Sequence, residues 1–166
     1  MCVDFYYGYN WHYVSVLMST AILSHMTKLT RRKWRVFCWN VRGLNSDNRQ
    51  REVRAKIDES ECDIICLQET KCESFDWKLI RKFCPKKFDN FAFSPSVGAS
   101  GGIIVLWNSS AFSGLLVQSV RYGVQVNFTS KHNNDCWSLV CVYGPCQGEE
   151  RDNFVSWLYN LHTIPH

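Results

Sequence analysis

The sequence predicts a layered α/β fold with mixed strand directions, and three observations carry that prediction. Two apolar runs rich in β-branched and aromatic residues flank a charged helical stretch, which is a β-α-β opening. Five further strand-like runs then follow one another between turn signals. Finally, Phe154, Trp157, Leu158 and Leu161 recur at i, i+3, i+4 and i+7, giving one apolar helix face that needs a sheet to cover. An aromatic content of 14%, with seven Trp, suits a sheet-rich core.

Residues 14–26 are weakly apolar, but Ser15, Ser19, Thr20, Ser24 and His25 interrupt them. A bilayer span needs about 20 apolar residues, so no membrane partner is expected. A signal peptide carries positive charge before its apolar region, whereas here Asp4 precedes it and Lys28, Arg31, Arg32 and Lys33 follow. Residues 1–33 are therefore read as an unstructured leader and residues 34–166 as the domain. Residues 34–39 form the first strand. Ser46 or Asp47 caps a helix in which Val53 and Ile57 lie four apart among charges. Residues 63–67 form the next strand, with Ile64 to Leu67 continuously apolar after Asp63, as for a strand covered on both faces. Ser74 caps a short helix with Trp77, Ile80 and Arg81 at helical spacing, and Pro85 ends it. Strands are predicted at 88–93, 102–107, 115–120, 124–128 and 136–142. The fourth of these alternates Val124, Val126 and Phe128 with Gln125, Asn127 and Thr129, as a half-exposed strand does. Glu149 and Glu150 favour the start of the closing helix.

Composition bounds the function classes. A chain of 166 residues fits one domain, and 46% hydrophobic with 20% charged residues is a globular balance. The net charge of +4 permits a nucleic-acid partner without requiring one. Residues 28–35 and 78–87 each hold five positive side chains, which can meet phosphates or form a solvated face. The nine Cys are an odd number and include no Cys-x-x-Cys pair, so the usual zinc spacings are absent. Cys38, Cys66 and Cys141 sit inside apolar runs and read as small hydrophobes. This usage points to a reducing intracellular setting, nuclear or cytoplasmic, rather than to secretion.

Three residues at strand ends could carry chemistry. Glu69 closes the apolar run Ile65-Cys66-Leu67-Gln68, where a carboxylate needs a partner or a metal. It suits Mg²⁺, which takes few carboxylates and keeps waters, or it pairs with Lys71 on the surface. Asn40 ends the first strand before Arg42-Gly43, and either holds a phosphate or carboxylate through its amide or serves as a turn residue. Tyr143 either donates its hydroxyl to a phosphate or packs its ring at a strand end. His12, His25, His132, His162 and His166 fall in no catalytic motif.

Taken together, Trp39-Asn40-Val41-Arg42-Gly43-Leu44, then Leu67-Gln68-Glu69-Thr70-Lys71, then Gly101-Gly102-Ile103, then Val142-Tyr143-Gly144-Pro145 resemble the endonuclease/exonuclease/phosphatase superfamily. The similarity runs from about residue 34 to 161. It is nearest to the N-terminal part of the endonuclease domain of plant non-LTR retrotransposons, with Arg151, Phe154 and Trp157 following the last motif. The resemblance implies a four-layered α/β sandwich of the deoxyribonuclease I-like type, with its C-terminal half missing. It also implies Mg²⁺- or Mn²⁺-dependent hydrolysis of a phosphodiester in DNA, with a reverse transcriptase domain as partner in a longer product. Glu69 would be the metal ligand, Asn40 would orient the metal or a phosphate, and Tyr143 would bond the scissile phosphate.

Two departures qualify this implication. Some nuclease branches carry an acidic residue where Arg42 stands, so Arg42 either removes a metal contact or brings a cation to phosphate. The family's Asp-x-Asn and Ser-Asp-His segments, which supply the general base and the histidine, do not occur in the sequence. The expectation is a truncated metal-dependent endonuclease, inactive alone. The alternative is a non-catalytic nucleic-acid-binding remnant that uses the two basic clusters.

Overall fold

β-Branched and aromatic runs become strands, and the computed structural model describes residues 3–7, 15–20, 34–98, 100–145 and 150–161. The order is β1 (Val3–Tyr7), β2 (Ser15–Thr20), β3 (Trp34–Asn40), α1 (Asp47–Ser60), β4 (Ile64–Gln68), α2 (Trp77–Phe83), β5 (Asn90–Val97), β6 (Ser100–Trp107), β7 (Phe112–Val120), β8 (Gly123–Ser130), β9 (Cys136–Val142) and α3 (Glu150–Leu161). One sheet has the strand order β1-β3-β4-β6-β5 and the other β2-β9-β8-β7. β3 and β4 run parallel, joined by the α1 crossover, while β6 runs antiparallel to both β4 and β5. The second sheet is antiparallel throughout.

Side-chain alternation divides the first sheet into two faces. Phe37, Trp39, Ile65, Leu67, Ile104 and Leu106 face the helices, where Val53 and Ile57 of α1 and Ile80 and Phe83 of α2 pack on them. Val36, Cys38, Ile64, Cys66, Ile103 and Val105 face the second sheet and meet Val124, Val126, Phe128, Leu139 and Cys141. Phe154 and Trp157 of α3 pack against Gly144 and Gly123, beside Tyr122. The layers are therefore helices, sheet, sheet, helix, the mixed α/β arrangement that the sequence predicts.

Several local readings change. Residues 3–7 and 15–20, read as leader, form β1 alongside β3 and β2 alongside β9, adding a strand at one edge of each sheet. The rest of residues 1–33, including the cations 28–33, lies outside the described residues. Ser46 does cap α1, its hydroxyl accepting from Arg49 N. In α2, however, the cap is Asp76 rather than Ser74, its carboxylate accepting from Leu79 N at 2.7 Å. β5 begins and ends later than predicted and continues through Pro95. It is an edge strand, where a missing N–H does no harm. Gln125 is buried instead of half-exposed. Among the described residues, no helix is long and apolar enough to cross a membrane.

Candidate functional site

The loops after β3 and β4 run side by side because the parallel ladder continues past both strand ends. Val41 N donates to Gln68 O at 2.9 Å, Gly43 N to Glu69 O at 2.7 Å and Leu44 N to Thr70 O at 2.9 Å. On the other flank, Thr70 N donates to Gly102 O and Lys71 N to Gly101 O, both at 3.0 Å. The Glu69 segment is thus laced between the Asn40 loop and the start of β6. Asn40 is itself the register partner of Gln68.

The backbone here is concentrated in the left-handed region. Arg42, Glu69 and Lys71 have φ of 51°, 54° and 56°, and Gly43, Gly101 and Gly102 are also positive. For non-glycine residues this conformation costs about 1–3 kcal/mol each and persists where surrounding structure imposes it, commonly at functional sites. Gly102 is required as glycine, because a Cβ there would collide with the Thr70 hydroxyl.

Asn40 is buried, and its Oδ1 accepts from Arg42 N at 3.2 Å, which fixes the amide plane. Glu69 keeps 20% of its side-chain surface exposed, with Lys71 Nζ 3.6 Å from its Oε1. Arg42 is exposed beside them. Tyr143 lies on the second sheet, where its ring packs against the inter-sheet core and its N donates to Tyr122 O at 2.9 Å. Tyr143 and Gly101 line one cleft of about 210 Å³, so the second sheet meets the start of β6 there. Asn40 and Glu69 are joined directly by the laced loops; Tyr143 approaches through Gly101.

These residues offer one carboxylate and one amide oxygen to a cation. Among the described residues, no group of three His, Cys, Asp or Glu side chains is placed to hold a metal. A one-carboxylate set fits Mg²⁺, which retains most of its waters, and does not fit a fully protein-ligated ion. Lys71 must swing away from Glu69 for the cation to enter.

Sequence reasoning missed Gln68. Its side chain is fully buried next to Asn40, and neither amide atom has a partner. Thr70 Oγ1 is likewise buried and unpartnered. The available signal was a lone amide ending an otherwise apolar run.

Other candidates are occupied elsewhere. In the cluster 78–87, Arg81 donates to Pro85 O and Phe88 O, Lys82 pairs with Asp47 and Lys87 donates to Cys62 O. Arg35 pairs with Glu61. His132 is an exposed turn residue. The seven described cysteines are free thiols. Burial pushes the Cys66 thiol well above the ordinary range, with Cys141 and Cys38 adding to the effect, and pushes Cys84 up to about 12. Neither is a ready thiolate nucleophile.

Solved structures share this fold. An AP endonuclease from Leishmania major superposes with a TM-score of 0.53 at 15% identity, covering 76% of this chain and 44% of that one. An AP endonuclease from Archaeoglobus fulgidus gives 0.50 at 18% identity, covering 77% and 49%. The chain thus spans about half the length of these structures, and the likeness establishes the deoxyribonuclease I-like α/β sandwich. No curated protein matches the sequence. The pattern of the Endonuclease/Exonuclease/phosphatase family matches residues 37–145 and embraces Asn40, Glu69 and Tyr143, and the chain belongs to that family.

Proposed function

We propose that these residues form the metal- and phosphate-binding half of a divalent-metal-dependent phosphodiesterase acting on DNA, of the retrotransposon endonuclease kind. The observation that carries the reading is the lacing of Glu69 between the Asn40 loop and Gly101-Gly102, beside a cleft shared with Tyr143. Glu69 would hold Mg²⁺ or Mn²⁺ with Asn40 beside it, supplying polarisation of a phosphoryl oxygen and stabilisation of the leaving oxyanion. Asn40, its Oδ1 already fixed by Arg42 N, directs its amide at the metal-bound water or a phosphate oxygen. Tyr143 bonds the scissile phosphate.

A base must also take a proton from water. The sequence holds neither an Asp-x-Asn nor a Ser-Asp-His segment, so the 166 residues bind without cleaving unless a longer product supplies both. In that product a reverse transcriptase would extend the 3′-hydroxyl left by the cut. The engagement of Arg81, Lys82 and Lys87 by local partners favours this reading over binding through the cluster 78–87 alone.

Mn²⁺ titration followed by the ion's electron paramagnetic resonance tests the metal half, and nicking of supercoiled plasmid tests the catalytic half. Wild type binds Mn²⁺, Glu69→Gln loses it, and neither nicks DNA. Equal Mn²⁺ binding by both proteins defeats the metal assignment.

A further inference from the structure

The cleft beside Tyr143 contains an ion pair that the proposed chemistry does not use. Arg121, in the β7–β8 turn, and Glu150, at the start of α3, meet across it with Nη1 to Oε1 at 2.5 Å. The two are about half exposed, at 48% and 44% of their side-chain surface, and a pair so open contributes little to stability. Its position is more telling. Tyr143, Ser100 and Gly101 line the same cleft, and Gly101 O accepts from Lys71 N, two residues after Glu69. Gly101 leaves open space on its side, with nothing within 4 Å of where a Cβ would stand.

We infer that Arg121 binds a phosphodiester of the DNA backbone next to the scissile one, and that Glu150 latches this arginine in the free protein. The inference rests on the reading of DNA as substrate. At about 210 Å³ the cleft is below the ~300–1,000 Å³ typical of drug-sized ligands, and suits one backbone unit. A guanidinium gives up one carboxylate and gains two phosphate oxygens in a bidentate, charge-assisted contact. The exchange frees Glu150 to solvent, where its half-exposed carboxylate is readily hydrated. Gly101, which lines the cleft, is bonded through its carbonyl to Lys71 N, so the Glu69 loop adjoins one wall of it.

The test is fluorescence anisotropy of a labelled DNA duplex with the full chain in EDTA, over a range of salt. Glu150→Gln is expected to tighten binding about two- to fivefold by unlatching Arg121. Arg121→Gln weakens it and lowers the salt slope by about one. Adding Glu150→Gln to Arg121→Gln changes nothing further, and Arg121→Lys, which keeps charge but loses the fork, falls between. Glu61→Gln, remote and paired with Arg35, controls for net charge and leaves affinity unchanged. A gain from Glu150→Gln that survives in the Arg121→Gln background overturns the latch, as does a flat response to Arg121→Gln. Replacing chloride with inorganic phosphate at equal ionic strength leaves affinity unchanged; displacement of the duplex by phosphate would assign the site to the free ion and overturn the inference. If wild type binds no DNA even with Mg²⁺, the substrate reading falls too. If it binds, and only the Arg121 and Glu150 variants are silent, this inference alone fails.

Discussion

Asn40 and Gln68 face each other across the parallel β3–β4 ladder, and both amides are buried at the mouth of the inter-sheet core. Asn40 has a backbone partner for its oxygen, whereas Gln68 has none for either amide atom. A buried unsatisfied polar group costs about 1–3 kcal/mol, a cost that an apolar residue of similar shape avoids. Gln68→Met is therefore expected to raise stability by about 1–2 kcal/mol in urea, moving the midpoint without changing the slope. Loss of stability by that amount would mean the amide is satisfied by ordered water, and that the polarity is structural.

Glu69 combines a left-handed backbone with a candidate metal-binding carboxylate. Glycine adopts φ of 54° without strain, so Glu69→Gly should stabilise the metal-free protein by about 1 kcal/mol. The same change should abolish the rise in melting temperature that Mn²⁺ gives wild type. Thermal melts with and without Mn²⁺ read both effects. A destabilised variant would show that the Glu69 side chain itself holds the loop.

How far the sequence reads depends on which physics fixes each feature. β9 runs over the residues that its pattern marks, and α3 carries the expected apolar face, because period and hydrophobicity decide them locally. Asn40, Glu69 and Tyr143 stand out as polar residues ending apolar runs. Their mutual placement does not, since it is made by backbone hydrogen bonds from Gly43, Leu44, Thr70 and Lys71. The left-handed φ of Glu69 has no sequence signature, because only tertiary lacing imposes it. Nor does the cluster 78–87 reveal that Arg81 and Lys87 spend their donors on carbonyls brought close by the fold. Asp76 displaces Ser74 as the α2 cap because the helix begins at Trp77, a boundary that propensity alone leaves open by a residue or two.

Gly102 and Gly98 make a matched pair of probes. Both have positive φ, 84° and 60°, but only at Gly102 would a Cβ strike a neighbour, the buried Thr70 hydroxyl. Gly98→Ala should cost about 1 kcal/mol from backbone strain alone. Gly102→Ala adds a steric clash to that strain, and should cost about 2–4 kcal/mol in all. Equal costs in chemical denaturation would mean that Thr70 is free to move aside, and that the Glu69 segment is less tightly held than its hydrogen bonds imply.

Asp89 supplies a pH-dependent contribution at the far end of the first sheet. Burial is the largest single influence and raises its carboxyl, but the hydrogen bonds from Ser109 Oγ at 2.6 Å and Ser109 N at 2.7 Å, with a smaller one from Asn90, together outweigh it and hold the group below the ordinary 3.8. A carboxyl with a depressed folded-state pKa stabilises the protein fully above the unfolded value. That contribution fades as pH falls through the folded one. Asp89→Asn should therefore be less stable than wild type near neutrality, and the gap should narrow as pH falls below the ordinary 3.8 and through the lower folded-state value. The carboxylate is exposed, so the difference is small and best measured as a shift in urea midpoint at matched ionic strength. A gap that stays constant down to low pH would assign the effect to lost hydrogen-bond geometry rather than to charge.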